Sequence, residues 1–268
     1  MDLINIDIKL KLNQYKHSKA KIYNEYEQNQ IGGHPNSIIA FDLKILKKSK
    51  LSEFEFYQFI NSQYASETLK QLLFFIPNYQ GTEKINNENY LIMENLHCGF
   101  EHFNIMDIKL GKITWSEKFS KAKIERKQKN NTNNTTSILG FRVTGILTRD
   151  CTGNITLNLS KRDVDIKIRS KEDLIPFFVH FVSNFNKIQK NILNKIIKKI
   201  ENILSFFRMQ NEKKFISSSL YFVIGKNNKV QVKLIDFANV EDNQGNLDYN
   251  VIEALENLVE IWKQIAGL

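Results

Sequence analysis

Apolar and polar residues alternate with two different periods along this chain, and the change of period divides it. Short runs dominate the first part. Residues 38–47 pattern as a strand or hairpin after a turn cluster, Gly32-Gly33-His34-Pro35-Asn36. Residues 90–96 and 103–110 read as further strands. Between them, 51–75 has helical spacing (Phe54, Tyr57, Ile60), with Ser52 as a candidate N-cap. Farther along, 138–148 and 155–159 pair around a turn at 150–154, and 219–225 with 230–236 form a hairpin around Lys226-Asn227-Asn228.

The helical period dominates the C-terminal part. Residues 174–184 read as a helix with Pro176 near its start. A long stripe follows: Phe185, Ile188, Ile192, Ile196, Ile200, Ile203 and Phe207, which is core packing. A last helix after Asp248 buries Val251, Leu255, Leu258 and Trp262. Residues 118–129 form a basic helix that runs into a polar tract, 130–137, expected to be a flexible loop. There is no internal repeat. Strands first and helices later predict an α+β fold of two lobes: an N-terminal segment 1–30, an antiparallel-sheet lobe 31–96, and a mixed α+β lobe 97–268, joined near 95–99.

Composition narrows the class. A chain of 268 residues can bury a sizeable core. No apolar run reaches membrane-spanning length, and the polar, acid-containing start does not read as a secretory signal. Cys98 and Cys151 have neither metal-ligand spacing nor a disulfide framework, and the Asn-x-Ser/Thr sequons are chance products of Asn-rich sequence. A soluble, monomeric protein of the cytosol or nucleus is expected, without membrane insertion. The formal net charge of +9 and the pI near 9.3 favour anionic partners: nucleic acid, an acidic membrane surface or a polyphosphorylated small molecule.

Two stretches carry the chemistry. In FNIMDIKLG, Asp107 and Lys109 sit among Ile105, Met106, Ile108 and Leu110, and alternation puts both charges on one strand face. In LIDFANV, Leu234 and Ile235 lead into Asp236. Carboxylates beside buried strands are costly without a compensating cation, and two of them with a lysine suit a Mg²⁺–nucleotide site. A cationic face complements them: on a helix Lys123, Arg126 and Lys127 align by i, i+3 and i+4 spacing, amid Lys121 and Lys129. Read alone, that face is equally a solvated surface or a nucleic-acid patch.

FNIMDIKLG resembles the P-x-x-x-D-x-K-x-G signature of the inositol polyphosphate kinases, and further blocks occur in that family's order: ILKK and SEFEFY, then GFRVTG, SSSL and IDFA. The resemblance spans 33 to the last helix. It implies a two-lobed kinase-like fold and transfer of the ATP γ-phosphoryl group to an inositol phosphate, with Mg²⁺ as cofactor and no nucleic-acid partner. It assigns Lys47 to the ATP phosphates with Glu53 as its ion-pair partner, although Lys44, Lys48 and Glu55 lie close enough in sequence to compete. Glu94, Asn95 and Leu96 match the adenine hinge, and Ser217–Leu220, with Ser219, the floor under the nucleotide. Asp107 matches the aspartate near the ribose and reaction centre, Lys109 the lysine bridging substrate and transferring phosphate, and Asp236 the metal-binding aspartate. Lys123, Arg126 and Lys127 are implied substrate ligands, with Lys167, Arg169 and Lys233 as further candidates.

Departures from the family pattern are Asn104 in place of the usual proline, expected to loosen the entry turn, and Asn239 where a basic residue is frequent. Gly-rich G-x-G-x-x-G and H-R-D elements are absent, against an ordinary protein kinase. TTSILGFRVTGI, the triple serine and the KIERKQK helix resemble the hexakisphosphate branch, so the expected substrate is inositol hexakisphosphate. The alternative is a multikinase or trisphosphate kinase acting on free hydroxyls of less phosphorylated inositols.

Overall fold

The computed structural model describes residues 31, 37–85, 87–132, 134–184, 187–226 and 228–268. The expectations for 1–30, for the turn at 32–36 and for Phe185 lie outside them. The first unit is an antiparallel sheet, β1 (Ile38–Ala40), β2 (Lys44–Lys48), β3 (Tyr79–Ile85) and β4 (Glu88–Glu94), in the order β1-β2-β4-β3. Helix α1 (Leu51–Ile60), a short α2 (Glu67–Lys70) and a 3₁₀ turn (Gln71–Phe74) lie between β2 and β3. Strand β3 has no counterpart in the sequence reading, because polar residues at 80 and 82–84 hide its alternation.

The chain then crosses to a five-stranded antiparallel sheet ordered β12-β11-β5-β6-β7. Its members are β5 (Asn104–Leu110), β6 (Phe141–Arg149), β7 (Ile155–Leu159), β11 (Ser219–Ile224) and β12 (Val230–Ile235). Helices α3 (Lys121–Thr132) and α4 (Thr136–Leu139) connect β5 to β6. Helices α5 (Lys161–Lys167) and α6 (Lys171–Val182) follow β7, each opened by a capping box, from Ser160 to Asp163 and from Ser170 to Asp173. The pairs β8 (Ser183–Asn184) with β9 (Lys187–Ile188) and β10 (Lys213–Phe215) with β13 (Val240–Asp242) flank the long helix α7 (Lys190–Met209). Helix α8 (Tyr249–Ala266) closes the chain, with Asp248 accepting from Val251 N–H as its cap.

The predicted stripe from Ile192 to Phe207 is buried, and α7 packs on α8. Trp262 lies fully inside, stacked on Phe178 at 4.4 Å. Pro176 sits in the interior of α6 rather than near its start, because the Ser170 cap moves the helix start upstream.

Two local expectations are corrected. Ser52 does not cap α1; Lys50 holds that position, and the Ser52 hydroxyl donates instead to Ala238 O at 2.7 Å. The Asn-rich tract is not a loose loop. Asn131, Asn134, Thr135 and Thr136 are buried, and the first three spend side-chain polar atoms on backbone: Asn131 Nδ2 donates to Lys112 O, Asn134 Oδ1 accepts from Thr136 N–H, and Thr135 Oγ1 donates to Phe141 O.

Candidate active site

Lys47 on β2 and Glu53 in the first turn of α1 meet Asp236 beyond β12. Lys47 Nζ lies 2.9 Å from Glu53 Oε1 and 2.7 Å from Asp236 Oδ1. Glu53 is almost wholly buried and also accepts from Phe237 N–H at 3.0 Å and from the Ser49 hydroxyl. Asp236 adopts the left-handed φ of 68°, a costly conformation for a residue other than glycine. Phe237, fully buried against Phe56 at 5.0 Å and Tyr57 at 5.6 Å, anchors the next residue and so fixes that geometry. Burial alone would lower the Lys47 pKa; the charges of Asp236 and Glu53 overcome it and hold the pKa well above the usual lysine range. Burial would raise Asp236, but Lys47 and then Lys109 hold it below the usual carboxylate value, and 40 % of its side chain remains open to solvent. Lys48 pairs with Glu88 instead, which removes it from competition with Lys47.

The middle strand of the larger sheet supplies Asp107 and Lys109. Asp107 is opposite Gly145 on one side and Tyr221 on the other; Lys109 is opposite Arg142 and Ser219. A β-bulge between Asp107 and Ile108 gives β6 one extra residue, Thr144. With regular pairing Val143 would face Lys109, so the bulge brings Arg142 to the lysine. Thr144 Oγ1 donates to Asp107 O at 3.2 Å and pins the irregularity. The signature glycine has a steric reason: Gly111 has φ 91°, and a Cβ there would strike the Asn250 amide, which bridges Ile113 N–H and C=O. Asp107 is buried, and its Oδ1 has no hydrogen-bond partner among the described residues. Burial, then the charge of Asp236, raises its pKa to about 6; Lys109 and the hydroxyls of Ser219 and Thr144 oppose the rise.

Beyond Lys109 lies a group of cations. Lys109 Nζ donates to Ser217 O at 3.0 Å, and Lys127 Nζ contacts Ser217 Oγ at 3.3 Å, so this one serine, at φ 63°, holds both. Lys123 stands 3.0 Å over the centre of the Phe119 ring, with Lys127 at 6.0 Å. Burial pulls the Lys127 pKa down to about 8, aided by the like charges of Lys109, Lys123, Arg142 and Lys161. Burial also lowers Arg142 and Lys161, with Asp165 opposing in each case.

Arg142 and Lys161 therefore belong to the cluster, and sequence reasoning missed both as ligands. Arg142 stood inside the quoted GFRVTG block but needed the bulge to show its direction; Lys161, at the start of α5, gave no signal. Arg126 is on the exposed side of α3, beside Lys123. Lys233 is not part of the group: its Nζ donates to Phe74 O at 3.1 Å and Ile76 O at 3.0 Å. Its position on β12, under the 3₁₀ turn, makes it a backbone tie rather than a phosphate ligand.

Between the two sheets runs a mostly apolar cleft walled by Ile38, Ile45, Met93, Leu96 and Ile235, with Lys47, Asp107 and Asp236 at one end and Glu94 at the hinge. Asn95 is spent structurally, its N–H on Leu43 O and its amide on Phe41 O and Asp42 O. His97 Nε2 lies 2.8 Å from the Tyr221 hydroxyl, and burial drives the His97 pKa down to about 3, so the ring is neutral. Ser219 is buried beside Lys109.

The description "Inositol polyphosphate kinase" belongs to the family model that matches residues 90–263, most of this chain. The chain belongs to the inositol polyphosphate kinase family. Its enzyme class follows: it is a kinase of inositol polyphosphates. Similar curated proteins include the inositol polyphosphate multikinase of Schizosaccharomyces pombe, 26% identical over 261 residues that cover 88% of this chain and 96% of that protein. The Arabidopsis thaliana multikinase alpha is 26% identical over 236 residues, 80% of this chain and 82% of the relative. Inositol hexakisphosphate kinase 2 of Rattus norvegicus is 24% identical over 140 residues, 52% of this chain and 32% of that protein. A solved Saccharomyces cerevisiae inositol phosphate multikinase, in complex with ADP and Mn²⁺, superposes with a TM-score of 0.70 at 25% identity, covering 83% of this chain and 98% of the other. The two-lobed, kinase-like α+β fold is thereby shared.

Within that family pattern the departure at Asn104 reads differently from expectation. Asn104 is buried; its Nδ2 donates to Phe181 O at 2.9 Å and its Oδ1 accepts from Arg149 N–H at 2.8 Å. It ties the entry of β5 to α6 and β6 rather than loosening it. Asn239 serves through its backbone, accepting from Ile216 N–H at 3.0 Å. The hexakisphosphate expectation finds less support than its alternative, since the matches covering most of the chain are to multikinases.

Proposed function

We propose that this chain is an ATP- and Mg²⁺-dependent inositol polyphosphate multikinase, transferring the γ-phosphoryl group to free hydroxyls of inositols that carry fewer than six phosphates. The observation that carries this reading is the match over 96% and 82% of the length of two multikinases, set against the match over 32% of a hexakisphosphate kinase. The site chemistry supports a phosphoryl transfer with two anionic ligands. Asp236 and Asp107 fit a magnesium ion held by one or two carboxylates, with phosphate oxygens and water as the remaining ligands; among the described residues no three His, Cys, Asp or Glu side chains converge into a protein-only cage. Bound Mg²⁺ would offset the charge of the ATP phosphates.

The chain's own groups do the rest. Lys47, held by Glu53, would present its ammonium to the nucleotide phosphates, with Asp236 as the carboxylate that would hold the metal. Adenine fits the apolar cleft, with the backbone at Glu94 and Leu96 as its hydrogen-bonding edge. The unpartnered Oδ1 of Asp107 is an acceptor for a hydroxyl at the junction of the two ligands. Lys109 stands beside it as the bridging cation, while Lys123, Lys127, Arg142 and Lys161 neutralise inositol phosphates, with Arg126 at the rim. Fixed charges of this kind lower the barrier by positioning and by stabilising the charge spread over the transferring group.

One observation favours the second reading, a hexakisphosphate kinase: Lys127 and the four cations around it suit a highly phosphorylated ring. The deciding experiment offers tris-, pentakis- and hexakisphosphate separately with ATP and Mg²⁺ and resolves products by anion exchange. Conversion of the lower phosphates alone supports the multikinase. A product eluting later than hexakisphosphate, with the lower phosphates untouched, would overturn it.

A further inference from the structure

A second groove, of about 600 Å³, shares the hinge residue Glu94 with the nucleotide cleft but none of the catalytic side chains. Two large apolar side chains stand at it with little cover: Phe74 is 78 % and Leu43 is 71 % exposed. Core packing does not require either. Leu72, two residues before Phe74, is fully buried and roots the 3₁₀ turn, and Leu43 contributes to the fold through its carbonyl, which accepts from Asn95 N–H at 3.0 Å.

The rest of the groove is cationic. Lys233 crosses it to reach the carbonyls of Phe74 and Ile76. Lys229 lies 4.5 Å from the centre of the Phe100 ring. Lys199 projects from α7 near Lys233, one turn beyond Lys195, whose Nζ donates to Asn228 O at 2.9 Å. The single acid in the lining, Glu94, has its Oε2 engaged by Asn78 N–H at 3.1 Å. Lys199, Lys229 and Lys233 thus outnumber the one carboxylate, and apolar and cationic surface lie side by side.

We propose that this groove is a docking site for an acidic peptide segment of a partner protein, anchored by an apolar side chain against Phe74 and Leu43. Charge complementarity selects the acidic residues and the exposed pair selects the anchor. A small polyanion would be held by the lysines but would gain nothing from Phe74 and Leu43. The proposal stands apart from the choice of inositol phosphate, since it uses none of the residues assigned to substrate.

The test is fluorescence anisotropy on the full chain with a fluorescein-labelled nonapeptide of Asp and Glu carrying two leucines. Saturable binding is expected, weakened about tenfold by Phe74→Ser, by Leu43→Ser or by Lys199→Glu, and about tenfold by exchanging the peptide leucines for serine. Lys127→Met should leave it unchanged, and Phe74→Ser should keep wild-type kinase turnover, which shows that the variant is folded. Three results overturn the proposal. One is no saturable binding. Another is binding lost in Lys127→Met but kept in Phe74→Ser, which places the peptide in the substrate cleft. The third is equal binding by the leucine-free peptide with full displacement by tripolyphosphate at matched ionic strength, which makes the groove a small-polyanion site.

Discussion

The two halves of the candidate cleft treat their charges in opposite ways. On the side we assign to the nucleotide Lys47 bridges two carboxylates, Glu53 and Asp236, within hydrogen-bond distance. On the side we assign to the inositol phosphate Lys109, Lys123, Lys127, Arg142 and Lys161 crowd together, opposed by Asp165 at Arg142 and Lys161 and by Asp107 at Arg142. The first arrangement is stable without ligand and must open to receive a metal. The second is strained by like charge and is relieved when a polyanion arrives. One half is built for rearrangement and the other for neutralisation, as phosphoryl transfer between two anionic ligands demands.

The largest effect should come from breaking the neutralised half. Asp236→Asn removes the carboxylate we propose for the metal and leaves Lys47 with Glu53 alone while conserving shape. We expect kcat to fall about a thousandfold, on the order of 4 kcal/mol of transition-state stabilisation, with an unchanged circular dichroism spectrum. Turnover within tenfold of wild type would show that Asp236 holds no metal. Glu53→Ala ranks next, because it leaves Lys47 and the Phe237 N–H without their shared acceptor. A loss of about 3 kcal/mol of stability in denaturant titration is expected from opening a buried pair, with lower turnover. An unchanged unfolding midpoint would mean that the triad contributes nothing to the fold.

The crowded half should respond in the reverse sense. Lys127→Met removes a charge that its neighbours disfavour, so stability should rise while the KM for the inositol phosphate increases about tenfold to a hundredfold, the value of a charged hydrogen bond. The KM for ATP should not move. A parallel rise in both KM values would merge the two halves into one site. The same lysine predicts a pH dependence. Its folded pKa, about 8, lies below its unfolded value of 10.5. The unfolded chain therefore binds more protons between those values, and stability gains from this group as pH rises from about 8 toward 10.5. Thermal unfolding of wild type against Lys127→Met across pH 7 to about 10.5 measures it: the variant's advantage should shrink as pH rises.

How much of this was legible in the sequence differs between the halves for a physical reason. Lys47, Asp107, Lys109 and Asp236 sit on or beside strands and Glu53 opens a helix of plain spacing, and block order alone links them across 189 residues of separation between Lys47 and Asp236. The inositol side depends on geometry that no local pattern encodes. Arg142 reaches Lys109 only through the bulge at Thr144, and Lys161 arrives with a short helix, capped by Ser160, that the sequence reading did not contain. Lys233 misled because a cation on a strand can be spent on carbonyls as readily as on a phosphate. The Asn-rich tract misled because polar composition suggested solvent, whereas its amides replace backbone partners inside the protein. The hexakisphosphate expectation rests on short block likenesses, and the matches that cover most of the chain support its multikinase alternative better.

The smallest predicted effect sharpens the comparison most directly. At pH 8 about half of the Lys127 side chains are neutral, given a pKa of about 8. A polyphosphate seated among the five cations raises that pKa, so binding should draw up to about half a proton from solution at this one group. Lys47 cannot contribute, because Asp236 and Glu53 already keep it fully charged there. Calorimetric titration with an inositol polyphosphate, in buffers of different ionisation enthalpy, should therefore show proton uptake in wild type that is absent in Lys127→Met. Subtracting the two removes the ligand's own titration. Titration with ADP should give no such difference between wild type and variant. If the difference appears with ADP instead, the nucleotide and not the inositol phosphate faces Lys127, and the assignment of the two halves is reversed.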